Sequence, residues 1–529
     1  MAKLNKSAVP VTTVLDQPIE MRDGTILRAD VHRPAEGGPF RTVLIRNPYG
    51  EPLFRRTPVV PYLHAGLAVV LQHCRGRGSS DGTFTPWVDE PRDGVDTVEW
   101  ITAQPWSNGE VVASGMSYLA GCALQLAAQR PAALKAVAAS MTPHDFYDGL
   151  KYHGGAFALG SAFHWGSLQG MLGALHAMSG GEDAGARFGA LLPVLADPYP
   201  AMAATPLSEA PGVSQAFPFW RDWVEHPERD EYWEKLAETL RHDRIEVPVL
   251  HTAGWFDVFL RGTLENFRRI PGGRLIVGPW THLSQESGVG ELNFGFSASA
   301  QSAMLEAQQI AWLLGDTAGP RVRYFTMGAD TWREAESWPP PGATETRYYL
   351  HPGGLLSPEA PAADAEPSRF VHDPDDPVPT HGGPLLLPDP TNAGPRDQRR
   401  IEERPDVLCF TTPVLDRDVE VTGPLTVVLH AATSAAGGDW TAKLVDVWPD
   451  GRAMSVIDGI VRSAGDRLRH EIDLVATSQT FRAGHRIRVE IASSNFPRFD
   501  RHPAMTRAEQ TVFHDAGRPS WITLPIMGG

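Results

Sequence analysis

The feature that most limits the fold is a serine placed at a break between two apolar runs. Val111-Val112-Ala113 reads as a strand, Gly115-Met116-Ser117-Tyr118 as a tight turn, and Cys122-Ala123-Leu124-Gln125-Leu126-Ala127-Ala128 as a helix. A strand–turn–helix with serine at its apex lifts the hydroxyl clear of a sheet. It also sets that hydroxyl at a helix N-terminus, where backbone N–H groups receive negative charge. This is the placement of a nucleophile; a small residue in an ordinary turn is the plainer alternative.

Two later residues bear on the choice. Asp257, in Gly254-Trp255-Phe256-Asp257, and His282, in Gly278-Pro279-Trp280-Thr281-His282, follow the candidate strands Val247-Pro248-Val249-Leu250-His251 and Arg274-Leu275-Ile276-Val277. Catalytic residues of open α/β sheets lie beyond the carboxyl ends of strands. The chain order Ser, Asp, His is that of α/β-hydrolases; other serine hydrolases use the same groups in other orders. In that reading His282 takes and returns a proton and Asp257 fixes its tautomer. Taken singly, Asp257 also fits the N-cap of a helix starting at Val258, and His282 fits a surface loop.

A tetrahedral oxyanion needs donors, and the N–H of the residue after the nucleophile, Tyr118, is one. Tyr49, in Arg46-Asn47-Pro48-Tyr49-Gly50 after the strand Thr42 to Ile45, lies in the loop that supplies a second donor in this fold class. Taken by itself it reads first as a turn tyrosine packed on the core.

At 529 residues the chain exceeds one core; at roughly 150 residues per domain, two to four domains are expected. The net charge of −16 and pI near 5.6 argue against nucleic acid or an anionic membrane as partner. Cys74, Cys122 and Cys409 are odd in number and far apart, which fits neither a disulfide framework nor a zinc set. No run approaches the ~18 apolar residues of a spanning helix. A protein of the reducing cytoplasm is expected. Cys74 to Gly82 is glycine-rich but lacks a Gly-Lys-Ser/Thr ending, and Asp373, Asp375 and Asp376 lack metal-ligand spacing. Neither cofactor nor metal is expected.

From Val14 to about Thr142, short apolar strands alternate with helical segments, including Gly94 to Gln104, which implies a parallel sheet. Between His144 and Arg244 strands vanish. The sheet pattern returns at Val247 and ends in a helix from about Ser297 to Leu314. Beyond Gly315, two-residue alternation dominates, as in Thr441 to Trp448 and Arg486 to Ile491. The expected architecture is therefore α/β: an α/β-hydrolase domain (residues 1–144 and 246–315), a helical cap (145–245) and a C-terminal all-β jelly roll (316–529).

With these segments in hand, the chain resembles the family of cocaine esterase, α-amino-acid ester hydrolases, cephalosporin acylases and X-Pro dipeptidyl-peptidases. The likeness runs through Arg46 to Gly50, Arg75-Gly76-Arg77-Gly78, Gln104 to Gly109, Gly115 to Tyr118, Gly254 to Asp257 and Gly278 to His282. It continues through Asp446 to Arg452 and Ser494-Asn495-Phe496-Pro497. The resemblance implies a triad of Ser117, Asp257 and His282, an oxyanion hole of the Tyr49 hydroxyl and the Tyr118 N–H, and Trp165 lining the acyl pocket. It implies cleavage of a small-molecule ester, or an amide, through an acyl-serine. Acyl transfer to an alcohol or amine, X-Pro or aminoacyl peptide cleavage, and a silent binding protein remain as alternatives, and homo-oligomerisation stays open. One departure stands out: Ala120 occupies the position of the family's last elbow glycine, and Gly121 follows it.

Overall fold

The computed structural model describes residues 10–50, 54–387, 390–504 and 506–528. Ten strands form one sheet, in the spatial order Val11–Glu20, Ile26–Pro34, Ala68–His73, Phe40–Asn47, Ser107–Met116, Leu134–Ser140, Val249–Phe256, Arg274–Thr281, Val322–Thr326 and Thr331–Ala335. Neighbours from Ala68–His73 to Val322–Thr326 run parallel. Their centre is covered on both faces, so Ala68–His73, Val249–Phe256 and Arg274–Thr281 are buried at every position and are mostly apolar, without in-out alternation.

The sheet edges depart from the expected parallel pattern. Val11–Glu20 returns antiparallel to Ile26–Pro34, because the turn closed by Met21 and Thr25 is far too short for a crossover. The other edge runs on past residue 315, since Val322–Thr326 pairs with Arg274–Thr281, and Thr331–Ala335 hairpins back onto it. The helix expected from Gly94 begins earlier, at Glu90, with Pro91 in its first turn, where a missing N–H costs nothing.

Between Ser140 and Val249 lies the helical cap, dominated by Leu159–Ser179 and followed by shorter helices. It contains a strand pair where only helix was expected: Tyr152–His153 pairs with Ala156–Phe157. Gly154 and Gly155, both at positive φ, form the two-residue turn that such a hairpin requires. The cap's aromatic residues, including Phe163, Phe217, Trp220 and Trp223, share one apolar core with the helix Tyr118–Ala128.

The C-terminal region is an antiparallel β-domain built on long ladders such as Val419–Thr433 with Arg469–Phe481 and Gly437–Val447 with Ala453–Ala464. Its core is continuous with Trp255 and Phe256 of the first sheet. The fold is thus the α/β-hydrolase with inserted cap and jelly-roll domain expected from sequence. No helix among the described residues is long and apolar enough to cross a membrane.

Candidate active site

Ser117, Asp257 and His282 are each the first residue beyond the carboxyl end of a parallel strand. Ser117 adopts φ 61° and ψ −126° and opens the helix Tyr118–Ala128. Its N–H donates to the Ser140 carbonyl at 2.9 Å. A left-handed backbone on a residue with a side chain costs roughly 1–3 kcal/mol, so the surroundings must hold it. Gly115 makes the turn sterically feasible, because a Cβ there would lie 2.4 Å from the Leu119 carbonyl carbon. The shifted glycine has its own explanation: Ala120 is buried without conflict, while Gly121 lies under the Trp87 ring, which a Cβ would approach to 2.4 Å.

The three side chains meet. His282 Nδ1 lies 2.8 Å from Asp257 Oδ1, and His282 Nε2 lies 3.1 Å from Ser117 Oγ. A carboxylate on Nδ1 selects the tautomer protonated there, which leaves Nε2 to accept the serine proton. Both the Asp257 carboxylate and the His282 ring are buried, and Phe259 packs edge-on against the imidazole at 5.2 Å. The helix after Asp257 starts at Leu260 and is capped by Phe259, so the Asp257 carboxylate serves the histidine and not a helix end.

Tyr118 stands at the first position of its helix, where N–H groups have no intrahelical partner. Its phenol is locked behind the turn: it accepts from the Trp87 N–H at 3.0 Å and donates to Glu90 at 2.8 Å. Glu90 in turn pairs with the buried Arg46 at 2.6 Å. Cys74 and Cys122 lie beside Glu90. Burial pushes both thiols up and Arg46 takes up the carboxylate's charge. The two thiols thus pack beside the Arg46–Glu90 ion pair, behind the turn at Ser117.

Tyr49 sits in a turn closed by its own N–H to Asn47 Oδ1 at 2.8 Å. Its hydroxyl accepts from Trp165 Nε1 at 3.3 Å and also meets the Ser117 hydroxyl; burial raises the phenol above its ordinary value. Trp165 comes from the long cap helix and stacks on Tyr118 with centroids 5.8 Å apart.

Ser117, Tyr118 and Trp165 line one cavity together with Trp87, Leu150, Lys151, Phe259 and Leu386, so the sheet, the cap and the C-terminal region all contribute to it. Sequence reasoning placed no charged group here, yet Lys151 is one, and its residue is 4 % exposed.

Residues 23–284 match the model of the X-Pro dipeptidyl-peptidase (S15 family), and residues 316–523 match the X-Pro dipeptidyl-peptidase C-terminal non-catalytic domain. Cocaine esterase of Rhodococcus sp. (strain MB1 Bresler) is 37% identical over 563 residues, covering 96% of this chain and 97% of that protein. Two solved structures share the fold at 24% identity. An α-amino acid ester hydrolase has a TM-score of 0.83, with 98% of this chain and 97% of that one covered. An aminopeptidase from a marine sediment Thaumarchaeota archaeon has a TM-score of 0.82, with 100% and 99% covered.

Proposed function

The chain belongs to the X-Pro dipeptidyl-peptidase (S15) family of serine hydrolases, alongside cocaine esterase, and on that footing we propose that it is an esterase working through an acyl-Ser117 intermediate. The observation that carries this reading is the unbroken hydrogen-bond line from Asp257 through His282 to Ser117. As Ser117 Oγ forms its bond to the ester carbonyl carbon, His282 Nε2 takes the hydroxyl proton. Asp257 stabilises the imidazolium without itself accepting a proton. The Tyr118 N–H and the Tyr49 O–H donate to the oxyanion. The Tyr49 oxygen accepts from Trp165, and its hydroxyl, which meets that of Ser117 in the free protein, turns its hydrogen to the developing charge.

Collapse of the tetrahedral intermediate breaks the bond to the alkoxide, which leaves with the proton held by His282. Water then attacks the acyl-Ser117 with His282 as base, releasing the acid and restoring the serine. A small ester suits a cavity walled by Trp87, Trp165, Phe259 and Leu386, and the relation to cocaine esterase favours an ester over an amide. The test is hydrolysis of p-nitrophenyl butyrate by the purified protein and its Ser117→Ala variant. Turnover by the wild type alone is expected; equal turnover by both would remove Ser117 from the mechanism.

A further inference from the structure

Lys151 is fixed at the entry to the cap hairpin. Its N–H donates to the Tyr147 carbonyl at 3.1 Å, and its carbonyl accepts from the Ala158 N–H at 2.8 Å. From there the ammonium sits 3.5 Å from the ring centre of Trp223 and 5.4 Å from that of Trp165, on the wall of the cavity that holds Ser117. Among the described residues no carboxylate, carbonyl or hydroxyl accepts a hydrogen bond from it. Aromatic faces offset only part of the cost of taking an ammonium out of water.

Elsewhere the fold gives its buried and partly buried cations oxygen partners. Arg46 pairs with Glu90, Arg462 with Asp439 and Asp500, and Lys443 with Glu490, while Arg77 donates to the Gln169 side chain and Arg274 to the Thr317 carbonyl. Lys151 differs from these five in meeting only aromatic rings on the wall of a cavity. Burial is the whole cause of its lowered basicity, which falls to about 7 with no ionised neighbour contributing. An arginine would stay charged under the same burial, whereas lysine trades its proton with the surroundings. The position therefore puts on the wall of the Ser117 cavity an amine to which only a ligand can bring a counter-charge.

We infer that Lys151 is the specificity-determining residue of the pocket and that it binds a carboxylate carried by the ester substrate, forming the ion pair that the protein itself omits. This rests on the esterase reading of Ser117. A carboxylate entering the cavity displaces water from Nζ and keeps the lysine protonated. The ion pair, desolvated on both sides, then favours an anionic ester over a neutral one of the same length.

Two pairs of esters test it, each read as the ratio of kcat/KM for the anionic over the neutral member. Mono-p-nitrophenyl adipate against p-nitrophenyl hexanoate places the charge on the acyl part; 4-(hexanoyloxy)benzoate against phenyl hexanoate places it on the leaving group. Comparing wild type with Lys151→Met cancels the intrinsic reactivity of each ester. The expected result is a fall of at least tenfold in one pair, carried by a rise in KM for the anionic ester, and that pair identifies the end of the substrate that Lys151 holds. Lys151→Gln reads the same ratio should the methionine variant misfold. Unchanged ratios in both pairs, with p-nitrophenyl hexanoate still hydrolysed, overturn the role of Lys151 and leave the esterase standing. Absence of hydrolysis of all four esters by the wild type overturns both.

Discussion

Ser117 and Lys151 line the same cavity and are held there by different kinds of structure. Ser117 and its partners hang from the ends of three parallel strands, joined by hydrogen bonds of 2.8 and 3.1 Å. Lys151 immediately precedes a short hairpin and lies among aromatic rings, with no directional bond to its charge. Strand ends tolerate few alternatives, because moving one moves the whole sheet. A packed aromatic cap tolerates many, since rings of similar volume exchange at modest cost. In the proposed reading, the reaction belongs to the sheet and the choice of substrate to the cap.

The largest break in this comparison is on the sheet side. Ser117→Ala should lower kcat by roughly 10⁴-fold or more while leaving the thermal transition close to that of the wild type, because a half-buried turn loses only one oxygen. Stopped-assay hydrolysis beside circular dichroism separates the two. Next is Tyr49→Phe, which removes one oxyanion donor without changing volume and should reduce kcat by ~10²–10³-fold with little change in KM. A change confined to KM would move Tyr49 from the oxyanion to the substrate pocket.

On the cap side the effects are smaller and depend on pH. With Lys151 lowered to about 7, it is charged below that pH and neutral above it. The preference for an anionic over a neutral ester should therefore fall about tenfold for each pH unit above 7 until the neutral-lysine value is reached, and hold constant below about 6. Using the ratio removes any titration the two substrates share. A preference flat from pH 6 to 9 would detach the lysine from recognition.

The smallest effect is on stability and has the opposite sign to most core substitutions. Between about 7 and the ordinary lysine value of 10.5, the unfolded chain holds a proton that the folded one has released, so stability rises with pH across that window. Lys151→Met should raise Tm by a few degrees at pH 7, and that gain should shrink toward pH 10. A loss of Tm at pH 7 would mean that the ammonium stabilises the fold, contrary to its lack of a partner.

These two regions were also unequally legible. The turn at Gly115 to Tyr118 and the order Ser117, Asp257, His282 are local signals, each readable within a few residues, and the geometry brings those side chains into hydrogen-bond contact. The shift from Ala120 to Gly121 becomes intelligible only once Trp87, some 30 residues upstream, is seen resting on the glycine. Lys151 was unreadable for a similar reason. Nothing in Leu150-Lys151-Tyr152 distinguishes a surface lysine from a buried one, because the rings that enclose it come from Trp165 and Trp223. At the sheet edges, alternation showed strands but not direction, which a five-residue turn settled on one side and a hairpin beyond residue 315 on the other.

The most direct test of the account is where a fluorophosphonate attaches. Reaction of the intact protein followed by peptide mass mapping should give a single phosphonyl adduct on Ser117, abolished in Ser117→Ala and strongly slowed in His282→Ala. An adduct on a different serine, or full esterase activity in protein that carries none, would contradict the assignment of the nucleophile.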